Sequence, residues 1–226
     1  MRLNAYLARA GVASRRGADS LIKAGRVKIN GQPGQLNSEV GDNDKVELDG
    51  KPVSAQSLRY ILLYKPERTV TTLKDPEGRP TILDDVKVPE RVVPIGRLDF
   101  DTTGALLLTN DGQLANHLMH PSFEIPKVYE ATIWGTIKDE ILNKLSNGVY
   151  LEEGKTASAQ ARQIADNKIE LIIHEGRNHQ VKRMLAAVGL EVKRLHRSQY
   201  GPLDLSGLRP GQWRDLTAAE VKQLQS

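Results

Sequence analysis

Apolar residues first recur at helical spacing. Leu3, Leu7 and Ala10, with Tyr6 beside them, share one face of a helix that Gly11 closes. Ser14 reads as the N-cap of a second helix, with Ala18, Leu21 and Ile22 inward and Gly25 at its end. The period then falls to two. Val27 and Ile29 flank Lys28, Asn30-Gly31 reads as a tight hairpin turn, and Val46 and Leu48 repeat the alternation before Asp49-Gly50. Two short helices and a hairpin over residues 1–55 make a unit that is marginal alone. Pro52 to Leu58 reads as a linker.

From Tyr60 the texture changes. Ile61-Leu62-Leu63 and Ala105 to Thr109 have the continuous apolar character of buried strands, and Val128 to Trp134, Ala157 to Ile164 and Lys168 to Ile173 add three more. Between them, Gly112 to His120, Lys138 to Leu145 and Asn178 to Val188 carry helical patterns, the first stopped by Pro121 and the last by Gly189. Thr217-Ala218-Ala219-Glu220 matches the capping box of a closing helix. Trp134 and Trp213 read as core or hinge residues. Strands joined by turns and short helices predict an α+β fold: a small helical-hairpin domain over 1–55, then a larger domain over 59–226 with a mixed, mainly antiparallel sheet flanked by helices.

Composition narrows the chemistry. The chain has no cysteine, which removes disulfides and thiolate nucleophiles. Its start lacks the apolar core of a secretory signal and no run reaches membrane-spanning length, so a soluble, cytoplasmic protein is expected. The net charge of +4 is unevenly placed: residues 1–30 carry a local +6 and residues 168–198 a local +4, on a body of −6. Two basic islands suit two phosphate-contacting surfaces. Arg9, Arg15, Arg16, Arg26 and Lys28 crowd the first. With no heptad seam or large apolar stripe, a monomer is expected.

Against this background Asp99 stands out, in Gly96-Arg97-Leu98-Asp99. An aspartate acts as nucleophile or base only when ionised, and burial opposes ionisation unless a cation faces it. Lys182-Arg183 is one source of that cation and Arg97 another; spacing alone also allows Asp99 merely to cap a turn. His174, His179 and His196 fall on different elements without ligand spacing, so no metal is expected. Neither a dinucleotide fingerprint nor a phosphate loop occurs, and no cofactor is expected.

Two sets of motifs resemble known families. Leu7 to Arg16 followed by Ile22 to Gly31 is similar to the S-four-type RNA-binding domain, named after a ribosomal small-subunit protein. Gly96-Arg97-Leu98-Asp99 with Thr103 to Gly112 resembles the signature of the pseudouridine synthases, within the ribosomal RsuA/RluB subgroup that carries such an N-terminal domain. Lys65-Pro66, Val70-Thr71-Thr72 with Asp75 to Pro80, Lys127-Val128-Tyr129, Glu175 to Met184 and Leu195-His196-Arg197 match in order, over nearly the whole chain.

The resemblance implies isomerisation of a specific uridine in ribosomal RNA to pseudouridine, the Val70 to Pro80 motif leaning toward the large subunit. Asp99 would be the nucleophile, with attack at ribose C1′ and at uracil C6 both open. Tyr129 would pack on the base and help remove the C5 proton; Lys182, in preference to Arg183, would face Asp99. Arg97 would act on the RNA as the uridine leaves its stack, with Arg177 and Arg183 as further RNA contacts. The expected partner is ribosomal RNA or an assembling ribosomal subunit. The alternative is a non-catalytic RNA-binding assembly factor on the same scaffold.

Overall fold

The computed structural model describes residues 1–225. The first helix and hairpin signals become α1 (Leu3–Arg9), α2 (Arg15–Lys23), β1 (Val27–Ile29), β2 (Gln32–Pro33), β3 (Val46–Leu48) and β4 (Lys51–Val53). Ser14 Oγ accepts from the Gly17 amide at 3.1 Å, capping α2. Asn30-Gly31 and Asp49-Gly50 take positive φ at both positions, the geometry that reverses a twisted hairpin in two residues. The strands pair antiparallel in the order β2-β1-β3-β4. Leu3, Leu7, Ala18, Ile22, Val27, Val40 and Val46 form the core beneath them. The linker reading of Pro52 and Val53 is corrected here: the Asp49-Gly50 turn folds them back as β4, with Val53 opposite Val46. This unit comprises Met1–Arg59 with Val88–Val93 and Thr109–Gly112.

The larger unit holds β5 (Tyr60–Lys65), α3 (Ile82–Asp85), β6 (Val93–Ile95, in part), β7 (Thr102–Thr109), α4 (Gly112–Met119), β8 (Lys127–Trp134) and α5 (Asp139–Ser146). It continues through β9 (Tyr150–Leu151), β10 (Gly154–Lys155), β11 (Gln160–Ala165), β12 (Lys168–Ile173), α6 (Gln180–Ala187), β13 (Glu191–Tyr200), β14 (Leu203–Asp204), β15 (Trp213–Asp215) and α7 (Ala218–Gln225). The main sheet runs β11-β12-β8-β13-β7-β5-β15. Its pairs β11/β12, β12/β8, β8/β13 and β15/β5 are antiparallel, whereas β13 and β7 are parallel, giving the mixed sheet expected.

Strand β7 is buried along almost its whole length, which explains its uninterrupted apolar run. Ala105 and Leu107 on β7 and Leu62 on β5 pack with Leu114, Ala115 and Leu118 of α4 and Leu224 of α7. At α7 the Thr217 amide donates to Glu220 Oε2 at 2.8 Å and the Glu220 amide to Thr217 Oγ1 at 3.3 Å, the reciprocal bonds of a capping box.

Three features of the sheet were not legible in the pattern of apolar positions. Strand β13 crosses the sheet centre although five of its ten residues are charged or histidine. Trp134 is 56% exposed rather than core, because β8 ends there; Lys193 Nζ lies 4.2 Å from its ring centre. Gly104 runs against β13 so closely that a Cβ there would collide with the backbone of Arg197, its carbonyl oxygen first. Among the described residues, no helix is long and apolar enough to cross a membrane.

Candidate active site

The segment between β6 and β7 is fixed before it does any chemistry. Thr71 Oγ1 donates to the Leu98 carbonyl at 2.6 Å and accepts from the Leu98 amide at 3.2 Å. The Arg68 amide donates to Phe100 O at 2.7 Å, and the Thr102 amide closes a turn on Asp99 O at 3.1 Å. Beneath it, the fully buried Lys65 donates from Nζ to Thr102 O at 2.8 Å and to Pro66 O at 3.0 Å. Burial pulls the Lys65 ammonium down to about 8, against the opposing pull of Asp101 and Asp99. The Val70-Thr71-Thr72 and Lys65-Pro66 motifs thus serve the backbone that carries Asp99. Further along, the Asp75 carboxylate accepts from the Arg79 side chain and from the Arg79 and Glu77 amides, which holds it down at about 2.

Asp99 faces a cleft of about 490 Å³ that Tyr129, Lys127, Arg97, Arg177, His179 and Arg197 also line. Lys182 Nζ stands 3.4 Å from Asp99 Oδ2 and His179 Nε2 3.4 Å from Asp99 Oδ1. Both side chains come from the start of α6. His179 itself adopts a left-handed backbone (φ 48°, ψ 30°) at the N-cap position, so the chain turns sharply as it enters the helix. Lys182 is shared: its Nζ also meets Asp101 Oδ1 at 2.5 Å. Arg183, the other residue of the basic pair, is turned away and forms a fork to Glu153. Of the two cations that sequence left open, Lys182 is the one the fold brings to Asp99.

Tyr129 is 8% exposed, and its hydroxyl accepts from Arg197 Nη1 at 3.3 Å. Arg197 is 2% exposed and also donates from Nε to Ala105 O at 2.7 Å. Sequence reasoning noted Arg197 only as part of a motif, and Asp101 and Lys127 not as site residues. The signal available for Lys127 was its spacing two residues before Tyr129 on one strand, which puts both on one face.

The remaining candidates divide. Arg97, Arg15, Arg16, Arg26 and Lys28 are exposed, and Arg9 is half-buried. Arg26 is bonded to Asp49, which lifts the guanidinium and lowers the carboxylate. Arg177 is tied inward, donating to Glu175 and to the carbonyls of Gly154 and Lys155 at 3.2, 2.9 and 2.7 Å. His196 is held by Thr103 Oγ1 at 2.8 Å, and His174 Nδ1 donates to Glu124 O at 2.7 Å. No group of three or more His, Cys, Asp or Glu side chains among the described residues could hold a metal ion.

A half-buried carboxylate-and-cation pair beside a tyrosine in a cleft is suited to covalent or proton-transfer work on a planar base. The family described as RNA pseudouridylate synthase matches residues 59–187, and the S4 domain matches residues 1–46. The chain is 48% identical to ribosomal large subunit pseudouridine synthase B of Bacillus subtilis (strain 168), over 100% of this chain and 96% of that protein. It is 46% identical to an RNA pseudouridine synthase of Aquifex aeolicus (strain VF5), over 99% and 93% of the two chains. A crystal structure of a pseudouridylate synthase superposes with a TM-score of 0.74 at 32% identity, over 99% of both chains. The chain therefore belongs to the RNA pseudouridylate synthase family, with an S4 domain ahead of the synthase domain.

Proposed function

We propose that this synthase isomerises a uridine of ribosomal RNA, in the large subunit, with Asp99 as its catalytic nucleophile. The observation that carries the reading is Asp99 in the cleft, with Lys182 3.4 Å away and Tyr129 lining the same space. The large-subunit assignment is supported by the name of the Bacillus subtilis relative, which matches along 96% of its length.

Residues 59–226 form the catalytic domain and residues 1–55 the RNA-binding one. In the reaction Asp99 bonds to C1′ as the N1–C1′ bond breaks, the uracil turns, and C5 bonds to C1′ as the Asp99–C1′ bond breaks; C5 loses a proton and N1 gains one. Atoms and oxidation state are conserved, so the reaction consumes no oxidant and no group donor. Lys182 supplies the positive charge that faces the Asp99 carboxylate. Tyr129 packs on the base and takes part in removing the C5 proton, its hydroxyl held by Arg197. Arg97, exposed beside Asp99, contacts the RNA around the extruded nucleotide. Arg15, Arg16 and Lys28 contact phosphates, whereas Arg177 braces the cleft wall and Arg183 is engaged by Glu153.

The test is tritium release from C5-labelled ribosomal RNA, deproteinised and in assembling subunits. Wild type releases tritium, and Asp99→Asn releases none while binding RNA with unchanged affinity. Equal release by the two proteins would overturn the role of Asp99; no release by wild type from either substrate would overturn ribosomal RNA as the target.

A further inference from the structure

Two cations that line the cleft, Lys127 and Arg197, pair with no carboxylate among the described residues. On β8, Lys127 and Tyr129 are two residues apart and point to one face. Across the ladder, Arg197 stands opposite Tyr129 and Tyr200 opposite Lys127, although Arg197 and Tyr200 are three residues apart. A register shift between Arg197 and Gln199 inserts the additional residue. This bulge turns Arg197 and Tyr200 to the same side, where a regular strand would oppose them. Lys127 Nζ and Arg197 Cζ consequently both sit over the Tyr200 ring, 5.5 and 5.1 Å from its centre.

Neither cation has a carboxylate within 4.0 Å among the described residues. Arg197 Nη2 is buried with no hydrogen-bond partner, and Lys127 Nζ has only the Ile125 carbonyl, at 3.0 Å. Burial, and then the neighbouring Arg197 charge, bring the Lys127 ammonium down to about 8. Paired like charges in a cleft are unfavourable by themselves. The arrangement makes physical sense if a negative ligand completes it.

The chemistry of the reaction supplies that ligand. When Asp99 bonds to C1′ and displaces N1, the electron pair of the N1–C1′ bond leaves with the ring, giving a uracil anion whose charge spreads onto O2 and O4. Turning the ring by half a revolution about its C6–N3 axis exchanges N1 with C5 and also O2 with O4. Two donors placed for the two oxygens therefore fit the ring equally before and after the turn.

We infer that Lys127 and Arg197 bind the two carbonyl oxygens of the detached uracil and hold it as an anion while it turns. The inference rests on the reading of Asp99 as nucleophile, with attack at C1′. Lys127 and Arg197 are thereby base-binding residues in addition to Arg197 holding Tyr129.

Lys127→Met removes one donor and only one internal hydrogen bond, so it is the primary variant; Arg197→Lys is the second. Turnover of Lys127→Met, read as tritium release, is expected to fall about 10²-fold, with melting temperature and RNA affinity unchanged, and Lys127→Arg to recover most of it. Replacing O2 or O4 of the target uridine by sulfur, a weak acceptor, should slow wild type about 10-fold at one of the two positions or both. It should slow Lys127→Met less, because the bond is already lost. Wild-type turnover by Lys127→Met, or sulfur and side-chain effects that multiply in full, would overturn the inference. Asp99→Asn run in parallel separates the two claims: a dead Asp99→Asn beside a fully active Lys127→Met sinks only the uracil site, and an active Asp99→Asn sinks the nucleophile.

Discussion

Lys182 Nζ bridges two carboxylates, Asp101 at 2.5 Å and Asp99 at 3.4 Å, and so binds the outer one more tightly. Lys182→Met leaves both acids facing each other without this counter-charge. Turnover should fall about 10²-fold or more. Lys182→Arg, whose planar fork reaches two carboxylates at once, should keep a substantial part of it. Single-turnover rates on ribosomal RNA check both; a fully active Lys182→Met would contradict the pairing.

Gly104 lies hard against the backbone of β13. Its φ of 124° and the closeness of the Arg197 carbonyl to the space a methyl group would need leave Gly104→Ala no relaxed geometry. A loss of roughly 3 kcal/mol is expected, read as a lower urea midpoint. Because the displaced strand carries Arg197, residual turnover should fall by more than the folded fraction does.

The closing helix gives a pH signature. Glu220 is bonded by Arg214 at 2.7 and 2.9 Å, and by Thr217, which holds its carboxyl down at about 2 against an ordinary 4.5. A lowered folded value stabilises above the unfolded one and is lost as pH falls. Glu220→Gln should therefore cost about 1 kcal/mol near neutrality and progressively less between pH 4.5 and 2, where wild type loses the same contribution. Denaturant midpoints of both proteins across that range test the convergence.

Arg15 and Arg16 open α2 on its exposed side, clear of the Ser14 cap. Arg15→Glu with Arg16→Glu should weaken RNA binding about 10-fold or more and flatten its salt dependence by about two counterions. The melting temperature should hold. Unchanged affinity would remove the RNA role given to these residues.

Local chemistry was the legible part of this sequence. Asn30-Gly31, Asp49-Gly50, Ser14 and the Thr217–Glu220 box act through neighbours within four residues, and each turn or cap forms as its residue types require. The apolar run of β7 announced a central strand for the same reason. Motif order was enough to bring Asp99 and Lys182 into one reading, and the fold places them 3.4 Å apart. What stayed hidden depends on register. Strand β13 does not alternate cleanly, because its parallel and antiparallel neighbours and its bulges set which residues are buried. Arg197 faces the cleft only through such a bulge, and Trp134 is exposed only because β8 ends there.

The parallel pairing of β7 with β13 sets a timetable as well as a shape. Thr102 lies opposite Leu195 and Gly104 opposite Arg197, so the strand next to Asp99 waits for one made roughly ninety residues later. Parallel contacts of such separation form late, after the loop between them has been closed. During synthesis, the N-terminal RNA-binding unit emerges and can fold well before that strand exists. On the function proposed above, a nascent chain would thus hold RNA before it could alter any of it.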